Sequence, residues 1–96
     1  MTIRIDPERH EPEALARIGA TFDGARVLEI GAGDGRLTRM YAARARSVVA
    51  LDSDAESIAA LRAAVRSPNV EALAHGFDAF DDPRRRFDVV LFSWSL

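Results

Sequence analysis

The chain has 96 residues, 15 acidic against 13 basic, a formal charge of −2 and no cysteine, which suits one small domain and excludes a thiol nucleophile, a disulfide framework or a thiolate metal site. Every basic residue is an arginine, so neither a Schiff-base lysine nor the lysine of a phosphate-binding P-loop is available, and His10 and His75 are too few for an all-histidine zinc site. The near-balanced charge gives no electrostatic reason for a nucleic-acid or anionic-membrane partner, no apolar run approaches the ~20 residues of a membrane span, and the charged start predicts a cytoplasmic chain.

No internal repeat, low-complexity tract or flexible linker divides the sequence. Residues 1–10 mix charges with isolated Ile3 and Ile5 and are expected to form a loosely attached amino-terminal arm, leaving one partial domain over 11–96. Pro12 at a tolerated first helical position, Leu15 and Ile18 three apart, and Gly19 as a stop predict a short helix. A short buried strand follows over about Arg26 to Ile30, then a glycine-rich turn. Leu37, Met40, Tyr41 and Ala45 recur at the spacing of one helical face. SVVALD reads as a fully buried strand. Ser53 and Glu56 form a capping box for a helix with Ile58, Leu61 and Val65 on its buried stripe, stopping before Pro68. NVEALAHG is a third strand, FDAFDDPRRR a loop and FDVVLFSW a fourth strand. Strands alternating with helices predict an α/β fold: a Rossmann-like parallel sheet with flanking helices, incomplete at about four strands in the order 3-2-1-4.

The segment Val27-Leu28-Glu29-Ile30-Gly31-Ala32-Gly33-Asp34-Gly35 carries the chemistry. Three glycines in five positions at the end of a strand imply positive φ angles and close approach of backbone to a ligand. Asp52 ends the next strand at the ~20-residue offset where an acid meets the hydroxyls of a bound ribose, in charge-assisted hydrogen bonds. The spacing G-x-G-x-G, with Arg36 where a dinucleotide fingerprint has its third glycine, weakens a nicotinamide-dinucleotide reading. Glu29 beside the ligand's path favours a cationic ligand, and S-adenosylmethionine carries an ammonium, a sulfonium and a ribose but no phosphate.

VLEIGAGDGRLT, VVALDSD, the Asp78 loop and FDVVLFSWSL together resemble motifs I to IV of the class I S-adenosylmethionine-dependent methyltransferases, over roughly Arg26 to Leu96. The resemblance implies that Glu29, Gly31, Ala32 and Gly33 cradle the methionine part of the cofactor. It implies that Asp52, with Ser53 beside it, holds the ribose, and that Asp78 and Ala79 read the adenine, with Asp81 and Asp82 competing for the acid's place. By position, Ser93 closes the site. The further strands of that family are missing, which predicts a truncated, cofactor-binding half. No metal site and no general base are assigned. An aminopropyltransferase, a dinucleotide-binding domain and a non-catalytic remnant remain the rivals.

Other polar residues have plainer readings: Asp34 as a cap of the following helix, His75 as a structural histidine, Arg84 to Arg86 as a solvated turn. The absence of a basic surface favours a small-molecule methyl acceptor and no nucleic acid. FDVVLFSW, read as an unprotected sheet edge, predicts self-association.

Overall fold

The computed structural model describes residues 2–5, 21–76 and 87–93, the first of these segments as backbone only. β-branched and aliphatic residues, buried on both faces as parallel strands require, form β2 (Arg26–Ile30) and β3 (Ser47–Leu51). They are joined through the glycine turn and a short α1 (Thr38–Tyr41). α2 (Ala55–Ala64) returns the chain to β4 (Val70–Leu73), and β5 (Val89–Ser93) lies on the other side of β2. With β1 (Thr2–Ile5) the sheet has five strands in the order β1-β5-β2-β3-β4, every pairing parallel. The expected order 3-2-1-4 is the β4-β3-β2-β5 part of this sheet.

Two expectations change here. Residues 2–5 are not a loose segment but a strand that pairs with β5, from Thr2 opposite Val90 to Ile5 opposite Ser93. Val89–Ser93 is therefore an inner strand, and the edge on which self-association was predicted is covered by β1.

On one face Val27, Val48, Ala50, Ala72, Val89 and Leu91 pack beneath Ile58 and Leu61 of α2 and beneath Leu37, Tyr41 and Phe22. Phe22 and Tyr41 stack with ring centroids 4.4 Å apart. The opposite face carries Leu28, Val49 and Leu51, with Ile30, Leu73, Phe87 and Val90 against them. At the amino end of the sheet Arg26 grips Asp88 through Nε (3.1 Å), Nη2 (3.0 Å) and its backbone N–H (2.8 Å), which fixes β5 against β2.

The helices differ from the sequence pattern in phase. α1 is only one turn long, and Thr38, not Met40, joins Tyr41 on the buried side; Met40 is 52% exposed. The turn runs on through Leu37, so the helix begins late and its phase is set by the two hydroxyl residues facing the sheet. In α2 the cap is Asp54, extended at φ −86° and ψ 108°, accepting from the Glu56 N–H (3.2 Å) and the Ser57 hydroxyl (2.8 Å). Ser53, expected in that role, stands one residue too early because β3 continues to Leu51 and Asp52 still donates its N–H to the Leu73 carbonyl. The stop before Pro68 is as expected, with α2 ending at Ala64. Asn69, unremarked in the sequence, donates to the carbonyls of Ala42 (2.8 Å) and Ala45 (3.0 Å) and ties the segment after α1 to the start of β4.

Candidate functional site

β2 is flanked by β3 and β5, so the chain leaves the sheet in opposite directions around it. In a parallel sheet this switch opens a crevice at the strands' carboxyl ends. Ile30 of β2 lies opposite Leu51 of β3 and Phe92 of β5. The residues that follow these three positions therefore meet at one level: Gly31, Asp52 and Ser93.

The turn after β2 is built from backbone. Gly31, Gly33 and Gly35 have φ of 77°, 59° and 88°, angles that side chains with a Cβ rarely accept. The N–H groups of Gly31 and Ala32 both donate to the Leu51 carbonyl at 2.9 Å. The Gly33 N–H donates to Asp52 Oδ2 (2.8 Å), and Asp52 Oδ1 accepts from the Asp54 N–H (2.9 Å). Each carboxylate oxygen thus uses one acceptor position on backbone and keeps another, as a pair of ribose hydroxyls requires. Asp52 is partly buried and Ser53 exposed beside it. Gly35 serves packing: a Cβ there would lie 2.8 Å from Leu61 Cγ and 3.3 Å from Val65 Cγ2. This close approach falls one residue before Arg36, the position of a dinucleotide fingerprint's third glycine. Asp34 accepts from the Arg36 N–H at 3.3 Å, closing the turn; α1 itself has no side-chain cap.

Glu29 lies beneath the turn. Its side chain is fully enclosed, with Oε1 accepting from Thr38 Oγ1 (2.7 Å) and the Tyr41 hydroxyl (2.6 Å), and Oε2 from Ser93 Oγ (2.5 Å). Burial pushes the Glu29 carboxyl above its usual range, while the hydroxyls of Ser93, Tyr41 and Thr38 pull the other way. Burial and the neighbouring Glu29 carboxylate together hold the Tyr41 phenol well above its ordinary value.

Of the residues singled out in the sequence, Gly31, Ala32, Gly33, Asp52 and Ser93 converge on the crevice, whereas Glu29, expected beside the ligand, is fully enclosed beneath the turn with both oxygens taken by protein hydroxyls. Asp78 and Ala79 lie outside the described residues. His75, expected as a structural histidine, is exposed. Thr38 and Tyr41 went unnoticed as polar partners; the signal was their i, i+3 spacing on the face turned toward β2. Among the described residues no group of His, Cys, Asp and Glu could hold a metal ion, and no helix is long and apolar enough to cross a membrane.

Comparison with known proteins agrees with this geometry. A family described as a methyltransferase domain matches residues 27–96. The ribosomal RNA small subunit methyltransferase A of Bradyrhizobium diazoefficiens is 40% identical over 72 residues, 73% of this chain and 25% of the relative. An rRNA methyltransferase of Streptomyces thermotolerans is 34% identical over 84 residues, 86% of this chain and 28% of the relative. The chain thus spans about a quarter of the length of these curated relatives. The structure of the 23S rRNA methyltransferase ErmE superposes with a TM-score of 0.69 at 32% identity, over 85% of this chain and 35% of that one. The N-methyltransferase NodS of Bradyrhizobium japonicum, solved with S-adenosyl-L-homocysteine, shares the fold (TM-score 0.72, 20% identity, 81% of this chain and 40% of that one). These relatives overturn the expectation of a small-molecule acceptor and no nucleic-acid partner, since the curated ones act on ribosomal RNA. That expectation rested on the absence of a basic surface and of an appended recognition segment, neither of which reports on an acceptor when the chain spans about a quarter of its relatives.

Proposed function

Because the chain belongs to the methyltransferase-domain family, whose match covers residues 27–96, we propose that its glycine turn and Asp52 hold S-adenosylmethionine for methyl transfer to an RNA acceptor. The observation that carries this reading is the Asp52 carboxylate, fastened to the Gly33 N–H at 2.8 Å and to the Asp54 N–H at 2.9 Å with acceptor capacity left on both oxygens. The RNA acceptor is supported by the relatives at 34–40% identity, which are ribosomal RNA methyltransferases.

The bound cofactor supplies a methyl group already activated by its sulfonium, so the chain's work is placement. Asp52 receives the two ribose hydroxyls, and Ser53 lies at the rim. Gly31, Ala32 and Gly33 let the methionine part approach the backbone. Asp78 and Ala79 take the adenine, and Ser93 bounds the crevice on the β5 side. Glu29 acts from beneath the turn, its carboxylate being enclosed by three protein hydroxyls.

Calorimetric titration with S-adenosylmethionine and S-adenosylhomocysteine, beside NAD, tests the cofactor. Saturable binding of the sulfur compounds that Asp52→Ala abolishes is the expected result; binding of NAD instead would refute it. Transfer of a labelled methyl group to ribosomal RNA, lost on ribonuclease treatment, tests the acceptor.

A further inference from the structure

Two separate parts of the chain send three hydroxyls to one buried carboxylate. Glu29 on β2 accepts from Thr38 at 2.7 Å and Tyr41 at 2.6 Å, both on α1, and from Ser93 at the end of β5 at 2.5 Å. Glu29 and Thr38 are 0% exposed and Ser93 5%. Ser93 Oγ also stands 3.3 Å from the Gly31 carbonyl oxygen, so this side chain of β5 touches both the carboxylate under the turn and the turn's first peptide. The bonds continue outward. The peptide whose carbonyl belongs to Gly31 carries the Ala32 N–H, held by the Leu51 carbonyl at 2.9 Å, and the next N–H, of Gly33, is held by Asp52 at 2.8 Å.

A glycine turn has no side chains of its own to fix its peptide planes, and positive-φ glycines have many alternative conformations to sample. Something outside the turn must select one. We infer that Ser93 and Glu29 are positioning residues that set the orientation of the Ala32 and Gly33 peptides, and through them the affinity of the Asp52 site. The inference rests on the reading of that site as a cofactor site only for its consequence on affinity; the orientation of the peptides stands apart from it. A carboxylate suits this task because it accepts from several hydroxyls at once, which no apolar side chain of similar size does.

The test uses the full chain and Ser93→Ala, with Thr38→Val as a second variant that keeps side-chain shape and removes one hydroxyl from the other carboxylate oxygen. Two quantities are read: amide hydrogen exchange at Ala32 and Gly33 without ligand, with Leu28 on β2 as the internal control, and the dissociation constant for S-adenosylhomocysteine by calorimetry. The expected result for Ser93→Ala is exchange at Ala32 and Gly33 faster by tenfold or more with Leu28 unchanged, and affinity weaker by about tenfold. Thr38→Val shifts both in the same direction by a smaller factor, and Ser93→Thr, which retains the hydroxyl, restores protection. Unchanged protection of Ala32 and Gly33 in both Ser93→Ala and Thr38→Val overturns the inference. So does a loosened turn with undiminished affinity. If S-adenosylhomocysteine binds no form of the protein while the amides loosen as expected, the positioning role stands and the cofactor reading is the one that falls.

Discussion

Replacing Gly35 by alanine isolates the packing of the turn against α2, because the molecule supplies its own control. Gly24 has φ +68° with nothing within 4 Å of a built Cβ, whereas Gly35 has φ +88° with Leu61 Cγ at 2.8 Å and Val65 Cγ2 at 3.3 Å. Gly24→Ala therefore carries only the left-handed backbone cost of about 1–2 kcal/mol, part of it offset by the stiffer unfolded chain. Gly35→Ala adds overpacking of about 1–3 kcal/mol, since Leu61 is fully buried and has no room to turn away. The expected loss is about 2–4 kcal/mol, a large share of the ~5–15 kcal/mol typical of a domain. Urea unfolding followed by far-ultraviolet circular dichroism reads both variants on one scale. A cycle with Leu61→Ala sharpens the test: alone it costs about 2–5 kcal/mol, but in the Gly35→Ala background it removes the clashing Cγ. The double variant should thus be more stable than the two losses added together predict, by about 1–3 kcal/mol. A Gly35→Ala cost no greater than that of Gly24→Ala, or additivity within about 0.5 kcal/mol, would refute the account.

The raised Glu29 carboxyl means that the folded state holds this proton more tightly than the unfolded chain, so its effect on stability is most favourable at low pH and declines as pH rises out of the usual carboxylate range. Wild type should lose urea resistance relative to Glu29→Gln over that rise; parallel pH profiles would count against it. Asp88 shows the opposite sign. Arg26 holds its carboxyl at about 2, so its contribution is complete at neutral pH and fades as pH falls below about 4 toward about 2. Asp88→Asn should flatten that part of an acid unfolding curve. Asp52→Asn turns an amide toward one of two backbone N–H donors and should cost about 1–3 kcal/mol of stability, together with tenfold or more in S-adenosylhomocysteine affinity, read by melting and calorimetry.

The glycine turn and Asp52 were legible in the sequence because their geometry restricts residue type locally: positive φ selects glycine, and a strand's end fixes where its acid stands. β2 to β5 were legible from runs of buried aliphatic residues. β1 was not, since two isoleucines among charges carry no local sign of a partner strand near the other end of the chain. Ser93 was placed at the site by position and Tyr41 on a helical face, but their shared bond to Glu29, with that of Thr38, was not legible because only the folded sheet brings Glu29 between them. The capping pattern pointed to Ser53, and the length of β3, which the sequence does not fix to the residue, moves the cap to Asp54. The acceptor class was not legible because the residues that could be read build the turn and the sheet, and overall charge balance does not report on an acceptor.

The place of β5 between β1 and β2 also bears on how the molecule is made. Thr2 pairs with Val90, so at ~5–20 residues per second a ribosome takes about 4–18 s to deliver the partner of the first strand. For that interval β1 emerges before its partner β5 exists, and closing a loop of about 90 residues carries an entropic cost that a local hairpin avoids. Assembly of the crevice is thus deferred to the arrival of β5.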